Sequence, residues 1–462
     1  MLQVPRLVVA APGSGHGKTT VATGLMAALR ARGLEVSGHK IGPDYIDPGY
    51  HALATGRPPR NLDPVLQGEH RVAPLFLHGA LQPRPADVAV VEGVMGLFDG
   101  AIGTGGVSST AHVARLIDAP VVLVVDVSGA SRSVAATVLG FASYDPQVRI
   151  AGVVLNRVAS QRHEDEIRAA LAPIGIPVLG SLGRDEALAT PSRHLGLVPA
   201  VERADEARSA VRLLGERVAQ GVDLDAVLRV AHSAAPLPDE PWDPQAEVIR
   251  HEGPAPVIAC AGGSAFSFRY TETDELLTAA GAQVVDVDPL HDGELPEGTS
   301  GLYLGGGFPE VYAAQLSANT ALRAHLASRI AGGLPVVAEC AGLLYLCREL
   351  DGLPMIGAID ATAAMTGRLT LGYRRAEAER GSPAAPAGEQ VSGHEFHRTR
   401  VEPPHGPDAA WSFADTGYGG RVDGFSTPTL HASYLHVHWA GSPSAAQRLV
   451  AAAVQHLEPV RG

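Results

Sequence analysis

A glycine-rich segment near the start of the chain, GSGHGKTT at residues 13–20, restricts the possible folds more than any other part of the sequence. The apolar run RLVVAAP precedes it, and the apolar spacing in TTVATGLMAALRARG predicts an amphipathic helix after it. A strand, a glycine loop and a helix in this order form a phosphate-binding loop, because backbone N–H groups and the helix N-terminus face the phosphates. The segment therefore predicts a nucleotide site that contains Gly15, Gly17, Lys18, Thr19 and Thr20.

Two side chains of this loop have chemistry suited to a nucleotide. The ammonium of Lys18 would contact the β and γ phosphate oxygens of ATP, and the hydroxyl of Thr19 would bind Mg²⁺. The loop is a variant, since the strict pattern has glycine where this chain has Pro12. Lysine occurs only twice in the chain, at Lys18 and Lys40, so we predict that both act as compact point charges in a pocket.

Strands and helices alternate along the first half of the chain. VAVVEG, APVVLVVDV and RIAGVVLNRV are apolar runs typical of buried strands. The alternation predicts an α/β fold with a parallel sheet and helices on both faces. A second series of strands and helices starts at Pro256, after a segment rich in proline and acidic residues. We predict a nucleotide-binding domain at 1–235, a linker at 236–253 and a second domain at 254–462. The tail from Gly367 is predicted to be less regular, with turn-rich segments and one histidine-rich strand, LHASYLHVHW.

Charge and apolar content exclude several classes of protein. The formal net charge of −13 argues against broad binding to nucleic acid or anionic membranes, so we expect a small-molecule partner. No apolar run has the length of a membrane span, and no cleavable signal precedes the first strand. Three cysteines without a C-x-x-C pair predict neither a disulfide framework nor a zinc site, which indicates a reducing cytoplasm.

Several carboxylates follow predicted strands of the first domain. Glu92 comes directly after VAVV, at the carboxyl end of a strand, where ligands bind in open α/β sheets. A carboxylate there would be costly to bury without a cation. Further candidates for contact with substrate or metal are Asp44, Asp47, Asp63 and Asp99.

A candidate nucleophile lies in the second domain, in LPVVAECAGLLYL. This pattern places Cys340 on a sharp turn between a strand and a helix, where the N–H of Ala341 would help to bind an oxyanion. A thiol at a helix N-terminus is also expected to ionise more readily. The glycines of GLYLGGGFPE, among them Gly306 and Gly307, would supply a second oxyanion donor.

The base that activates the thiol is not determined by the residues alone. The candidates are His431, His436 and His438 of LHASYLHVHW, together with His394 and His397 of GHEFHRT. In a single strand, two of these side chains two residues apart would share a face, so only one of them need reach the thiol.

Eight motifs occur in order: SGHGKTT, HKIGPDYIDP, EGVMGLFDG, SRHLGL, YLGGGFPE, AECAGLLYL, GHEFHRT and ASYLHVHW. Together they resemble the motifs of the cobyrinic or hydrogenobyrinic acid a,c-diamide synthases of cobalamin biosynthesis, through essentially the whole chain. The resemblance implies a phosphate-loop domain similar to dethiobiotin synthetase and a C-terminal class I glutamine amidotransferase domain of the Cys-His type. It implies ATP, Mg²⁺, glutamine and an acidic corrinoid as the bound molecules.

The resemblance also implies roles in the nucleotide site. Asp63 and Glu92 would hold Mg²⁺ together with Thr19. Lys40 would be a second phosphate-binding lysine, and Asn156 of VVLNRV would recognise adenine.

In the second half, the resemblance implies that Cys340 attacks glutamine with His436 as its base. General glutaminases have H-x-E, but here His438 stands in the place of the acid. We therefore expect a base without an orienting carboxylate and a slow glutaminase. Arg193 and His194 are implied contacts of the acidic corrinoid.

The implied reaction is an ATP-dependent C–N ligation in which ATP phosphorylates a substrate carboxylate and ammonia from glutamine displaces the phosphate. One alternative is another glutamine-dependent amidase, such as cobyric acid synthase. An alternative of another class is a partitioning ATPase with a deviant phosphate loop, which would have no use for Cys340 or GGGFPE. The oligomeric state is left open.

Overall fold

The computed structural model describes residues 1–184, 192–193, 196–197, 200–413 and 420–457. The chain divides into two compact units, Met1–Trp242 and Asp243–Gly462. The division lies inside the segment 236–253 that the composition predicts as a linker. No helix in the described ranges is long and apolar enough to cross a membrane.

The N-terminal unit alternates strands with helices. Its strands are β1 (Arg6–Ala10), β2 (Val36–Ile41), β3 (Asn61–Leu62), β4 (Val88–Glu92), β5 (Val121–Asp126), β6 (Ile150–Val158), β7 (Val178–Gly183), β8 (Ser192–Arg193) and β9 (Gly196–Leu197). Its helices are α1 (Lys18–Ala31), α2 (Asp47–Thr55), α3 (Pro64–Gln67), α4 (Glu69–Leu81), α5 (Thr110–Leu116), α6 (Ser133–Tyr144), α7 (Gln161–Leu171), α8 (Ala204–Gly221) and α9 (Leu224–His232).

Seven of these strands form one parallel sheet in the order β3-β2-β4-β1-β5-β6-β7. The central strands β1 and β4 are buried at every position, as expected for β-branched runs covered on both faces. The sheet confirms the predicted parallel α/β architecture. It also brings the carboxyl ends of β1, β2 and β4 to one edge.

The C-terminal unit combines two sheets. Its helices are α10 (Pro244–Glu247), α11 (Thr271–Ala279), α12 (Ala313–Ala318), α13 (Thr320–Ala331), α14 (Ala341–Leu346) and α15 (Ser444–Leu457). Its strands are β10 (Val257–Ala261), β11 (Gln283–Val287), β12 (Thr299–Leu304), β13 (Val336–Glu339), β14 (Glu349–Leu350), β15 (Leu353–Pro354), β16 (Thr362–Ala378), β17 (Gln390–Glu402), β18 (Trp411–Phe413), β19 (Arg421–Asp423), β20 (Phe425–Ser426), β21 (Leu430–Ser433) and β22 (His436–Val437).

The first of these sheets has the order β11-β10-β12-β13-β21-β20 and is parallel except for β20, which runs antiparallel to β21. The second has the order β15-β14-β16-β17-β22, and β18 joins it through β16. β13 leads directly into the turn at Cys340, so the parallel sheet positions the candidate nucleophile.

Two expectations about the tail are wrong. The residues after Gly367 are not mainly irregular, because β16 and β17 are long antiparallel partners of 17 and 13 residues. LHASYLHVHW is not one strand either. It forms β21 in the parallel sheet and β22 in the antiparallel sheet, because the backbone pairs with β13 only as far as Ser433 and His436 then pairs with His394 of β17.

Candidate functional site

The phosphate loop follows β1 and ends at the first turn of α1. Gly15 and Gly17 have φ angles of 82° and 93°, which favour glycine. A Cβ on Gly17 would lie only 2.2 Å from Nδ2 of Asn156, and that amide donates a 2.8 Å hydrogen bond to the carbonyl of His16. In the described structure, Asn156 therefore supports the loop.

Lys18 is the first residue of α1, followed by Thr19 and Thr20 in the same turn. Its ammonium donates to the carbonyl of Gly13 at 3.1 Å and to that of Met95. Burial and the nearby ammonium of Lys40 lower its pKa to about 8. A bound polyphosphate would oppose this shift, because negative charge favours the protonated amine.

A second ammonium lies among carboxylates at the sheet edge. Lys40 of β2 is directly beside Glu92 of β4 in the strand register. Its Nζ donates to Oδ2 of Asp47 at 2.5 Å, to Oε1 of Glu92 at 2.9 Å and to the carbonyl of Gly93 at 3.3 Å. The hydroxyl of Thr19 donates to the same Glu92 oxygen at 2.5 Å and to Asp47 at 3.2 Å. The fold thus brings four predicted site residues into one cluster.

The charges of this cluster depend on one another. Burial alone would lower the pKa of Lys40 and raise that of Glu92. The attraction between opposite charges outweighs it, so the pKa of Lys40 is raised and the pKa of Glu92 lies well below its usual range. His51 adds a 2.7 Å contact from Nε2 to Oε2 of Glu92. Sequence reasoning missed His51, because no motif places a helical histidine beside a strand end.

The other predicted carboxylates have local hydrogen bonds. Asp44 accepts from two backbone N–H groups at the start of α2, and its Oδ2 is 3.9 Å from Nζ of Lys40. Asp63 is fully buried, caps α3 through two backbone N–H groups and accepts from Ser108 at 3.0 Å. Asp99 accepts from a backbone N–H in the loop after β4.

Two predicted substrate contacts cannot be placed. His194 lies outside the described residues, and only the backbone of Arg193, in β8, is described.

Cys340 lies on the predicted turn between β13 and α14. Its φ of 48° and ψ of −97° are unusual for a residue with a side chain, as expected for a nucleophile on a sharp strand-to-helix turn. The expected ease of ionisation is wrong. Burial and the nearby Glu310 carboxylate raise the pKa of Cys340 despite a hydrogen bond from the N–H of Ala341, and α14 has only six residues.

Backbone pairing brings His436 close to this turn. The N–H of Cys340 donates to the carbonyl of Ser433 at 2.8 Å, three residues before His436. Nδ1 of His436 is 3.7 Å from Oε2 of Glu339, the residue directly before the cysteine. The expectation of a base without a neighbouring carboxylate is therefore corrected: the carboxyl group comes from β13 rather than from position 438.

Glu339 is fully enclosed with this histidine. It accepts hydrogen bonds from the hydroxyl of Tyr303 at 3.2 Å and from Nε1 of Trp439 at 3.4 Å. Burial raises the pKa of Glu339 to about 8 and lowers that of His436 to about 3. Sequence reasoning missed Glu339, because its approach to His436 depends on a contact between segments that are distant in the chain.

Two alternative bases have different partners. Nε2 of His438 lies 3.6 Å from Oε2 of Glu272, so it approaches another buried carboxylate. His431 makes a 3.0 Å contact from Nδ1 to the hydroxyl of Ser382.

The two histidines of β17 lie near the site. The ring of His394 is 5.0 Å from that of His436, and His397 stacks on Tyr434 at 3.8 Å. His394 therefore packs beside the candidate base, and His397 packs on the tyrosine two residues before it.

The glycine loop after β12 packs against His436. A Cβ on Gly306 would lie 2.4 Å from Cε1 of His436, and one on Gly307 would lie 2.1 Å from the carbonyl of Ala265. The N–H of Gly306 already donates to the carbonyl of Phe268 at 3.1 Å, so this geometry does not leave it available as an oxyanion donor.

Two family models match the chain. Residues 7–198 match a CobQ/CobB/MinD/ParA nucleotide binding domain, and residues 257–444 match a CobB/CobQ-like glutamine amidotransferase domain. These matches agree with the predicted order of a phosphate-loop domain and a glutamine amidotransferase domain.

Curated relatives match nearly the full length. Hydrogenobyrinate a,c-diamide synthase of Thermobifida fusca is 59% identical over 460 residues, covering 97% of each chain. The Streptomyces coelicolor protein of the same name is 57% identical over 476 residues, with 97% of each chain covered. Cobyrinate a,c-diamide synthase of a Synechococcus strain is 43% identical over 459 residues, covering 97% of this chain and 98% of that one. The chain therefore belongs to the hydrogenobyrinate and cobyrinate a,c-diamide synthase family.

Proposed function

We propose that this protein converts the a- and c-side-chain carboxylates of hydrogenobyrinate to amides, with ATP and glutamine as co-substrates. The observation that carries the proposal is that one chain has both a phosphate-loop cluster and a cysteine turn beside a histidine and a carboxyl group. The relatives at 57–59% identity are named for hydrogenobyrinate, which favours it over cobyrinate as the substrate.

The N-terminal unit would activate the carboxylate. A carboxylate expels oxide very poorly, so an oxygen of the substrate first takes the γ-phosphoryl group of ATP and forms an acyl phosphate and ADP. Lys18 would contact the transferred phosphoryl group. Lys40 would keep Glu92 ionised and add a second positive charge, whereas burial and the nearby Asp44 raise the pKa of Asp47.

The oxygens around Thr19 fit Mg²⁺. The hydroxyl of Thr19 lies within hydrogen-bonding distance of carboxyl oxygens of both Asp47 and Glu92, and Mg²⁺ prefers such hard oxygen ligands. The described part of the chain contains no group of three or more His, Cys, Asp or Glu side chains that could hold a metal ion. This is consistent with an ion that takes its remaining ligands from nucleotide and water. Thr19 and Glu92 would hold it, with Asp63 as the further predicted ligand, and the bound ion would neutralise phosphoryl charge.

The C-terminal unit would release ammonia. The thiol of Cys340 gives its proton to His436, and its sulfur attacks the side-chain amide carbon of glutamine. The histidine then gives this proton to the amide nitrogen, which leaves as ammonia, and water hydrolyses the thioester to glutamate. The N–H groups of Gly307 and Ala341 would stabilise the oxyanion, since that of Gly306 is engaged.

Glu339 would orient His436. A carboxyl group near Nδ1 favours the proton on that nitrogen and leaves Nε2 to accept the proton of the thiol. The separation of 3.7 Å is longer than a hydrogen bond, and such contacts often tighten only when substrate binds. Burial lowers the pKa of His436 to about 3, so the histidine is neutral at rest and able to take the proton of the thiol, while burial raises the pKa of the neighbouring Glu339.

Ammonia joins the two reactions. It attacks the acyl carbon, the C–N bond forms and inorganic phosphate leaves. Each amide therefore uses one ATP and one glutamine, so a diamide uses two of each. ATP and glutamine are cytoplasmic metabolites, and we expect the enzyme to act there.

The test is an assay of the purified full chain with ATP, Mg²⁺, glutamine and hydrogenobyrinate, with products followed by mass spectrometry. The expected result is a diamide with two ADP and two glutamate formed per corrinoid. The same assay with cobyrinate measures the preference for the cobalt-free substrate. ATP hydrolysis without amide formation, unaffected by glutamine, would contradict the proposal and favour the partitioning ATPase.

A further inference from the structure

An arginine-lined cavity lies in the C-terminal unit. Its volume is about 750 Å³, within the range of about 300–1,000 Å³ that is usual for small-ligand pockets. Arg368, Arg374, Arg400 and Arg421 line it. The glutaminase chemistry described above uses none of them.

Two of these arginines are held by one carboxylate. Glu395 is fully buried and accepts from Nε of Arg374 at 2.6 Å and from Arg421 at 2.5 Å. Burial opposes ionisation of Glu395, but the hydrogen bond from Arg421, the charges of Arg421 and Arg374 and the nearby ring of His397 hold its pKa at about 2. Arg374 and Arg421 are thus fixed in place, and the negative charge of Glu395 compensates one of their two positive charges.

The other two arginines are free to meet a ligand. Arg368 lies where the register of β16 and β17 shifts between Met365 and Thr370, and bulges of this kind re-aim side chains. Both Arg368 and Arg400 are exposed, and no carboxylate of the described ranges forms an ion pair with either of them.

The remaining charges leave the cavity positive. Among the described residues that line it, Asp423 is the only carboxylate. Glu395 and Asp423 together offset two of the four guanidinium charges. Two positive charges are left in a chain with a formal net charge of −13, which indicates an anionic ligand.

The cavity adjoins the proposed glutaminase site. Tyr434 lines the cavity and directly follows Ser433, whose carbonyl accepts the N–H of Cys340 at 2.8 Å. The charge of Glu395 also acts on the pKa values of both Cys340 and His436. An anion bound here would therefore lie close to the position at which ammonia is released.

We propose that Arg368 and Arg400 bind a carboxylate of one of the amidation substrates, either the α-carboxylate of glutamine or a side-chain carboxylate of the corrinoid. The choice of these two ligands rests on the proposed function. A guanidinium suits the role because its planar fork donates two parallel hydrogen bonds to a carboxylate.

The test measures equilibrium binding of glutamine and of hydrogenobyrinate to the full chain by calorimetry, and so needs no turnover. A Cys340→Ser background prevents consumption of glutamine. The test variant is Arg368→Gln with Arg400→Gln. The control is Arg348→Gln with Arg380→Gln, which removes the same charge from exposed ion pairs outside the cavity.

Relative to the control, the test variant should bind one of the two ligands more weakly. We expect a loss of about tenfold if one of the two arginines contacts that ligand in the parent chain, and about tenfold more if both do. Weaker binding of glutamine identifies its α-carboxylate as the ligand, and weaker binding of hydrogenobyrinate identifies the corrinoid. ATP affinity should be the same in both variants. Unchanged affinity for both ligands, or no binding of either to the parent chain, would overturn the assignment. An enzyme that binds a ligand through these arginines but forms no diamide would instead contradict the proposed function.

Discussion

Replacing Lys40 by methionine removes the cation that compensates the buried carboxylates of the nucleotide site. In the wild-type chain the ammonium lies 2.5 Å from Asp47 and 2.9 Å from Glu92, and Lys40 is only 4% exposed. Breaking a buried ion pair by removing one partner destabilises a protein by about 3–5 kcal/mol. We expect Lys40→Met to destabilise the surrounding strands by this amount at pH 8.

The destabilisation should depend on pH. Glu92 has a lowered pKa in the native state, so its stabilising contribution is present above its unfolded pKa and disappears as the pH falls through the folded pKa. Burial and the nearby Asp44 already raise the pKa of Asp47, and without Lys40 burial would raise the pKa of Glu92 as well, so both take up protons in mildly acidic solution. The difference between wild type and variant should therefore shrink from pH 8 to pH 5.

Hydrogen exchange followed by mass spectrometry measures the destabilisation by Lys40→Met, and its dependence on pH, in peptides that cover β2 and β4. After correction for intrinsic rates, exchange in Lys40→Met should be between about a hundredfold and a few thousandfold faster at pH 8. Arg32→Met is the control, since its pair with Asp225 is exposed and worth at most about 1 kcal/mol. A change below tenfold at pH 8, or an equal change at pH 5, would refute the reasoning.

Other predictions concern activity. Lys18→Ala should abolish ATP-dependent amidation in a folded chain, and Lys40→Arg should impair it because a guanidinium is wider than the ammonium it replaces; wild-type kinetics in Lys40→Arg would contradict this. Glu92→Gln should raise the Mg²⁺ concentration needed for half-maximal activity, and activity should partly return at high Mg²⁺; an unchanged Mg²⁺ titration removes Glu92 from the metal site. Glu339→Gln should lower glutamine-dependent kcat at least tenfold without affecting ammonia-dependent amidation, whereas Glu272→Gln should have a smaller effect; equal effects would contradict the orienting role.

The phosphate loop could be predicted from sequence because its elements are consecutive. Gly15, Gly17 and Lys18 adopt the expected positions between β1 and α1. The Cys340 turn was predictable for the same reason, since strand, turn and helix follow directly in the chain.

The partners of these groups were not predictable, because they depend on contacts between distant segments. Glu339 meets His436 only because β21 pairs with β13 and the chain then crosses to β17. Asn156 was predicted as an adenine contact, but its bond from β6 to the carbonyl of His16 in the phosphate loop was not predictable. The pKa of Cys340 was misjudged because a short sequence pattern does not show burial.

The most direct test of the two-site mechanism is Cys340→Ala. If the cysteine only releases ammonia from glutamine, this variant should form no diamide with glutamine. It should form diamide with ammonium salts at high pH, because free NH₃ can attack the acyl phosphate directly. ATP binding should match that of the wild type. Loss of both activities in a folded, ATP-binding variant would contradict the division of the reaction between the phosphate-loop site and the cysteine site.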